Sequence, residues 1–192
     1  MVPVAKRYTE AEYAELEANA EYKSEYFQGE IFAMAGGTMP HGELSVATVA
    51  ALRASIDRTR CRVLNSDVRV RIAATGLQTY PDASVVCGEP QMTAGRRDCY
   101  ENPVLIVEVL SQNTESYDRT RKFEHYKRIP SLREYLLLSQ TRVRAELFRR
   151  GSGGAWPKST AEGMDAAIEL ESLGVTLRLR DIYEGIELSG ES

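Results

Sequence analysis

The sequence predicts an α/β or α+β chain, a mixed β-sheet flanked by a few helices in one domain spanning residues 1–192. Three observations carry this. Strand and helix patterns follow one another in mixed order along the chain, which favours a sheet covered by helices over an all-helical or all-strand architecture. The stretch "VLIVEVL" at 104–110 is apolar on both faces, as a strand covered on both sides must be. Between 42 and 58, Leu44, Ala47, Ala51 and Ala54 form one stripe and Val49, Leu52 and Ile56 a second. A helix there is apolar over much of its girth and belongs packed against a sheet.

The elements follow in order. Residues 9–21, "TEAEYAELEANAE", open on a good N-cap and continue in strong helix formers. "SEYFQGEIFAMAGG" alternates around a Gly-Glu step and reads as a hairpin, 24–28 paired with 30–35. After the helix at 42–58, strands are expected in "CRVLNSDVRVRI", where Val68, Val70 and Ile72 alternate, and in "DASVVC". The strand at 103–110 leads to a helix at 115–128 that ends before "IPS". "LREYLLLS" and "RVRAELFRR" read as a strand pair, "GSGGAW" as a flexible turn, "AIELESLGVTLRL" as two short strands and "DIYEG" as a tail.

Composition narrows the classes. With 43% hydrophobic and 27% charged residues, the chain has the mix of an ordinary soluble globular protein. No apolar run approaches the roughly 20 residues that span a bilayer, and the first 22 residues lack the apolar core of a secretory signal. Three cysteines (Cys61, Cys87, Cys99) and two histidines (His41, His125) form no CxxC or zinc-site spacing. Neither a structural zinc nor a disulfide framework is expected, and a reducing cytoplasm is the natural setting. The net charge of −4 argues against a globally basic nucleic-acid binder. Residues 1–30 hold the whole deficit, with three Lys/Arg against seven Glu. Locally, "RTRKFEHYKR" at 119–128 sets five positive side chains against one Glu. That run is either a phosphate-contacting face or, as charge runs usually are, a solvated one.

Glu108 is the anomaly. Period two places Val104, Ile106, Glu108 and Leu110 on one face and Leu105, Val107 and Val109 on the other. A carboxylate inside such a strand costs several kcal/mol unless it is paired, hydrogen-bonded or metal-bound. Asp82, directly after Pro81, opens the apolar strand "ASVV". Two carboxylates on neighbouring strands suit one hard cation, and Mg²⁺ typically takes one or two of them. Each residue alone has an ordinary explanation: a buried Glu meeting Arg or Lys, an Asp at a turn, and Lys122 pairing with Asp118 four residues earlier.

Together, "PD" followed 26 residues later by a Glu in an apolar strand resembles the core of the PD-(D/E)XK, or restriction-endonuclease-like, nucleases. The closer resemblance is to the Uma-two family of endonucleases. It runs through "SEYFQGEIFAMAGGTMPHGEL", "NSDVRVRI", "YPDASVVCGEP", "NPVLIVEVLSQNTESYDRTRKFEHYKRIPSLREYLLLSQ" and the closing "DIYEG", nearly the whole chain in the family's order. The resemblance implies a restriction-endonuclease-like mixed sheet core flanked by helices, and a Mg²⁺ or Mn²⁺ held by Asp82 and Glu108, with the Val109 carbonyl as a further ligand. In the wider superfamily a lysine stands two residues after the glutamate; here that position is Leu110. The Uma-two pattern implies that the amine has moved to the next helix, as Lys122 in "YDRTRKF". Glu25 matches an acidic residue that precedes the core motifs, and either completes the metal shell or is an exposed hairpin glutamate. His41 is a hydroxyl, phosphate or base helper, or simply a histidine near a helix start. Asp118 orients Lys122 or merely pairs with it, and Tyr126 is a core position.

The implied chemistry is hydrolysis of phosphodiester bonds in DNA by a metal-dependent endonuclease, with Asp82, Glu108, Lys122 and Glu25 as the catalytic set. The alternative is a nuclease-fold protein that binds nucleic acid or a protein partner without cutting; Leu110 and the acidic balance favour it. A hydrolase of small phosphorylated substrates would need a closed pocket. A homodimer fits double-strand cutting, which benefits from two sites, though no residue marks an interface.

Overall fold

The computed structural model describes residues 6–188 and 190. Helix α1 (Glu10–Ala18) starts on a reciprocal cap in which Glu12 N–H donates to Thr9 Oγ1 at 3.2 Å and Thr9 N–H to Glu12 Oε2 at 2.7 Å. Strands β1 (Ser24–Phe27) and β2 (Glu30–Ala33) form the expected hairpin. Its two turn residues, Gln28 and Gly29, both have positive φ (49° and 88°), the left-handed pair that matches strand twist in a tight hairpin. Helix α2 (Met39–Ser55) begins three residues before the expected start, because Thr38 caps it by accepting from His41 N–H at 3.4 Å. Its apolar surface is narrower than the sequence suggests: Leu44, Thr48 and Leu52 are buried, while Val46 is 71% exposed.

Strands β3 (Cys61–Asn65) and β4 (Arg69–Ile72) come from the continuous-looking "CRVLNSDVRVRI" but enter different sheets. A turn separates them, in which Asp67 N–H donates to Asn65 Oδ1 at 3.2 Å. Next come β5 (Leu77–Thr79), β6 (Ala83–Cys87), β7 (Cys99–Tyr100) and β8 (Leu105–Leu110). The single helix expected at 115–128 is three pieces: α3 (Glu115–Tyr117), a π-helical turn Asp118–Lys122, and α4 (Phe123–Tyr126). Strands β9 (Glu134–Ser139), β10 (Arg144–Arg149) and β11 (Lys158–Glu162) follow. β11 was not anticipated; it is an edge strand with a nearly all-exposed, polar face pattern. Strands β12 (Ala167–Leu170) and β13 (Val175–Arg178) are the two short strands expected, and they pair with each other. The supposed tail carries α5 (Leu179–Tyr183), in which Leu179, Ile182 and Tyr183 are buried. The Tyr183 hydroxyl donates to the carbonyls of Ser139 (2.9 Å) and Arg144 (2.8 Å).

The mixed α/β architecture is therefore as the sequence predicts. The main sheet runs β11-β10-β9-β8-β6-β3, with β8 and β9 parallel and the other pairs antiparallel. A second sheet runs β2-β1-β5-β4-β7. The parallel β8–β9 pair needs a crossover, and α3, the π turn and α4 supply it. Alternation along β8 divides two cores. Leu105, Val107 and Val109 join α2, β12–β13 and α5 on one side. Ile106 and Leu110 join Phe123, Tyr126, Tyr135 and the second sheet's Val70, Ile72 and Leu77 on the other. Glu108 belongs to this second side.

One expectation is overturned. Cys61 and Cys87 are joined by a disulfide, while Cys99 is free and buried. The β3–β6 register sets the two cysteines directly opposite at the ladder's end. A 26-residue spacing gives no local sign of that pairing.

The crossover is pinned to the sheet by Glu146 of β10, 3% exposed, which accepts from Arg119 and from Arg144 Nη2 at 2.5 Å. Burial pushes its pKa up, but Arg119 and Arg144 outweigh this and hold it below the usual 4.5. A carboxyl depressed in the folded state contributes stability above its unfolded pKa, and loses it as pH falls through the folded value. Glu146→Gln should therefore be less stable than wild type near pH 7, with the gap closing below about pH 4.5, as read from urea midpoints across that range.

Candidate active site

The site is built at the C-terminal end of β8. Extending the β6–β8 register, in which Ala83 faces Val107 and Ser84 faces Ile106, by one residue sets Asp82 opposite Glu108 on the same sheet face. The Val109 N–H donates to Asp82 Oδ2 at 2.7 Å. The N–H and C=O of one strand residue point to the same edge, so the Val109 carbonyl also faces the Asp82 side, beyond the last ladder pair.

Lys122 arrives from the crossover. Its Nζ lies 2.9 Å from Glu108 Oε1, 3.4 Å from Glu25 Oε1 and 3.5 Å from Asp118 Oδ1. The π turn carries Asp118 and Lys122 at its two ends, both buried. Such turns add a residue to the helical circuit and occur often at functional sites. The carbonyl of Asp118 accepts from the Tyr135 hydroxyl at 3.0 Å, which fixes the turn to β9. Tyr126, one turn beyond Lys122, is core as expected, but its hydroxyl also donates to Glu108 Oε1 at 2.7 Å.

Glu25 is not the exposed hairpin glutamate that was one of its two readings: its side chain is only 14% exposed and accepts from the Thr79 hydroxyl of β5. Nothing in the sequence marks Thr79, which ends β5 beside the strand that carries Glu25. His41, in the first turn of α2, places Nε2 3.4 Å from Asp82 Oδ2. The contact needs Gly37, where a Cβ would lie 2.9 Å from His41 Nδ1. The structure thus gathers Glu25, Asp82, Glu108, Asp118 and Lys122 into one cluster, with His41 at its rim. The basic run 119–128 contributes less positive surface than its sequence suggests. Lys122 is buried inward, Arg119 is tied to Glu115 and Glu146, and Lys127 pairs with Glu124, which leaves Arg121 and Arg128 as the exposed basic side chains of the run.

Electrostatics follow from three carboxylates around one ammonium, with Asp82 acting on Glu108 from across the ladder. Burial pushes Glu108 up to about 8; Lys122 opposes this, while Asp118 and Asp82 add to it. Burial likewise raises Asp118. For Lys122, burial acts downward, but Glu108, Glu25 and Asp118 outweigh it and keep the amine protonated. The hydrogen bond to Asp82 raises His41 against the opposing effect of burial. Both contacts of Glu108 fall on Oε1, and both contacts of Asp82 fall on Oδ2. Each carboxylate therefore has a second oxygen that could meet a cation. Among the described residues no group of three or more His, Cys, Asp or Glu converges as a complete metal cage.

A solved structure described as a "putative nuclease belonging to DUF820", from Anabaena variabilis, superposes with a TM-score of 0.73, covering 92% of this chain and 98% of that one at 18% identity. At that identity the likeness concerns the fold. Residues 10–180 match the Uma2 family, described as "Putative restriction endonuclease", and the chain belongs to that family. Two Synechocystis relatives, the uncharacterized proteins slr1290 and sll1609, are 37% and 34% identical over 175 residues. The match spans 91% of this chain in both cases, and 90% and 99% of theirs.

Lys122→Met should cost about 3–5 kcal/mol in urea unfolding at neutral pH, because it leaves buried carboxylates without their counter-charge. A loss below about 1 kcal/mol would mark the pair as no stronger than a surface one.

Proposed function

We propose that this protein is a Mg²⁺- or Mn²⁺-dependent endonuclease that hydrolyses phosphodiester bonds in DNA. The observation that carries the reading is Asp82 facing Glu108 across β6 and β8, each with an oxygen to spare, with the Lys122 ammonium 2.9 Å from Glu108. The donor set suits a hard cation: two carboxylates and the Val109 carbonyl, with the remaining positions left to water and phosphate. A cation bound there supplies a water of lowered pKa and offsets charge on the scissile phosphate.

The chain's own groups have distinct roles in this reading. The Val109 N–H and His41 hold Asp82 through Oδ2, which would leave Oδ1 for the cation. Tyr126 and Lys122 do the same for Glu108. Because its neighbours keep Lys122 protonated, it acts as a fixed positive charge on the phosphate rather than as a base that takes a proton from water. Asp118 and Glu25 position that ammonium, and Thr79 orients Glu25. Arg121 and Arg128 are the phosphate-contacting candidates left on the crossover.

A second reading, a nuclease-fold protein that binds nucleic acid or a partner protein without cutting, is favoured by one observation. Three carboxylates already lie within 3.5 Å of Lys122, and few of its basic neighbours reach the surface.

Asp82→Asn, Glu108→Gln and Lys122→Ala should each lower DNA cleavage with Mg²⁺ by about 10²–10⁴-fold. Only the two carboxylate variants should lose Mn²⁺ binding in calorimetry with a non-cleavable DNA present. Wild-type protein that neither binds the metal nor cuts under those conditions would leave the non-cutting reading in its place.

A further inference from the structure

We propose that the Cys61–Cys87 bond is a thiol–disulfide exchange site for small carboxylate-bearing thiols of the glutathione class, steered by the arginines around it. The bond sits at the far end of the β3–β6 ladder from Asp82: Cys61 faces Cys87 there, whereas Asn65 faces Ala83 at the site end. Both cysteines are part-buried and line an open groove of about 650 Å³ together with Arg58, Arg60 and Arg62. The three arginines are exposed. Glu89 is the one carboxylate lining the groove, and nearby Asp57 is engaged by the Thr59 N–H (2.9 Å) and hydroxyl (2.6 Å). The groove is thus net positive, open to solvent and lined by both cysteines of the disulfide.

That combination has a specific reactivity. A positive groove concentrates anions and raises their encounter rate. Exchange proceeds when a thiolate attacks one sulfur and the other leaves as thiolate, faster when the leaving thiol is the more acidic. The arginines line the same groove as both cysteines, and a positive surrounding favours the thiolate that leaves. The incoming thiolate attacks Cys87 Sγ, beside which Gly88 presents no side chain, the Cys61–Cys87 bond breaks, a mixed disulfide forms at Cys87, and Cys61 leaves as thiolate. One S–S bond is exchanged for another, and no separate oxidant or reductant is consumed. Gly88, with φ +76° and nothing within 4 Å of where its Cβ would be, leaves room beside Cys87 for the adduct.

The test uses the oxidised full chain with glutathione, 2-mercaptoethanol and cysteamine as anionic, neutral and cationic probes, with rates expressed per thiolate. At low ionic strength glutathione should react about 10-fold or more faster than cysteamine, and the gap should shrink in about 0.5 M salt. Peptide mapping should find the glutathione adduct on Cys87. An Arg58→Ala/Arg60→Ala/Arg62→Ala variant should lose the charge preference while keeping the wild-type rate with 2-mercaptoethanol, which separates steering from any loosening of the fold. Equal rates for the three thiols, an unchanged preference in the variant, or free Cys61 and Cys87 thiols in air-oxidised protein would each overturn the proposal. None of these readouts depends on nuclease activity.

Discussion

The buried contact between Glu108 and Lys122 is the constraint around which this structure is arranged. A glutamate in the middle of a central strand can ionise only if a counter-charge reaches it inside the core. Nothing on β8 can supply one, since the neighbours of Glu108 on its own face are Ile106 and Leu110. The counter-charge must come from another element, held at a fixed distance. The crossover does this, anchored to β9 through Tyr135, to β10 through Glu146 and to the second sheet's core through Phe123 and Tyr126. The second sheet closes the cluster by bringing Glu25 against the same ammonium.

Other buried glutamates show how this one differs. Glu134, fully buried, accepts from Arg149 Nε at 3.0 Å, Glu171 N–H at 3.0 Å, and the N–H and hydroxyl of Ser172. Both of its oxygens are engaged, and it behaves as a structural staple between β9 and the β12–β13 turn. Glu108 is served on one oxygen only, next to further acids. Burial of a carboxylate is therefore no mark of a site by itself; incomplete satisfaction among like charges is what sets Glu108 apart.

What was legible in the sequence was what depends on near neighbours. The two faces of β8 followed from period two alone, and the two cores divide along that line. The hairpin within 24–35 and the Thr9 cap were equally local, although the turn falls at Gln28-Gly29 and not at the Gly-Glu step the sequence suggests. The family resemblance pointed to the acids and to a lysine displaced onto the crossover, and the structure brings those side chains together. What was missed depends on pairing between distant segments. The β6–β8 register opposes Asp82 to Glu108 and the β3–β6 register opposes Cys61 to Cys87, and neither follows from spacing. Thr79 matters only because β5 lies beside β1. β11 was hidden because an edge strand exposed along most of its length has no hydrophobic alternation to read. The break at Asn65–Asp67 was hidden because the alternation resumes beyond it in another sheet.

The π turn at 118–122 has a consequence for how this fold tolerates changes in length. A surplus residue locked inside a helix between two anchored ends turns everything downstream by about 100° relative to an uninterrupted α-helix. Loss of one residue here would swing either the Lys122 amine or the Phe123–Tyr126 face away from its place, whichever end gave way. Side-chain identity elsewhere in the core can drift while volume is kept; in this segment the number of residues matters as much as their kind. Chains that share the fold but lack the extra residue must draw the amine from a different sequence position.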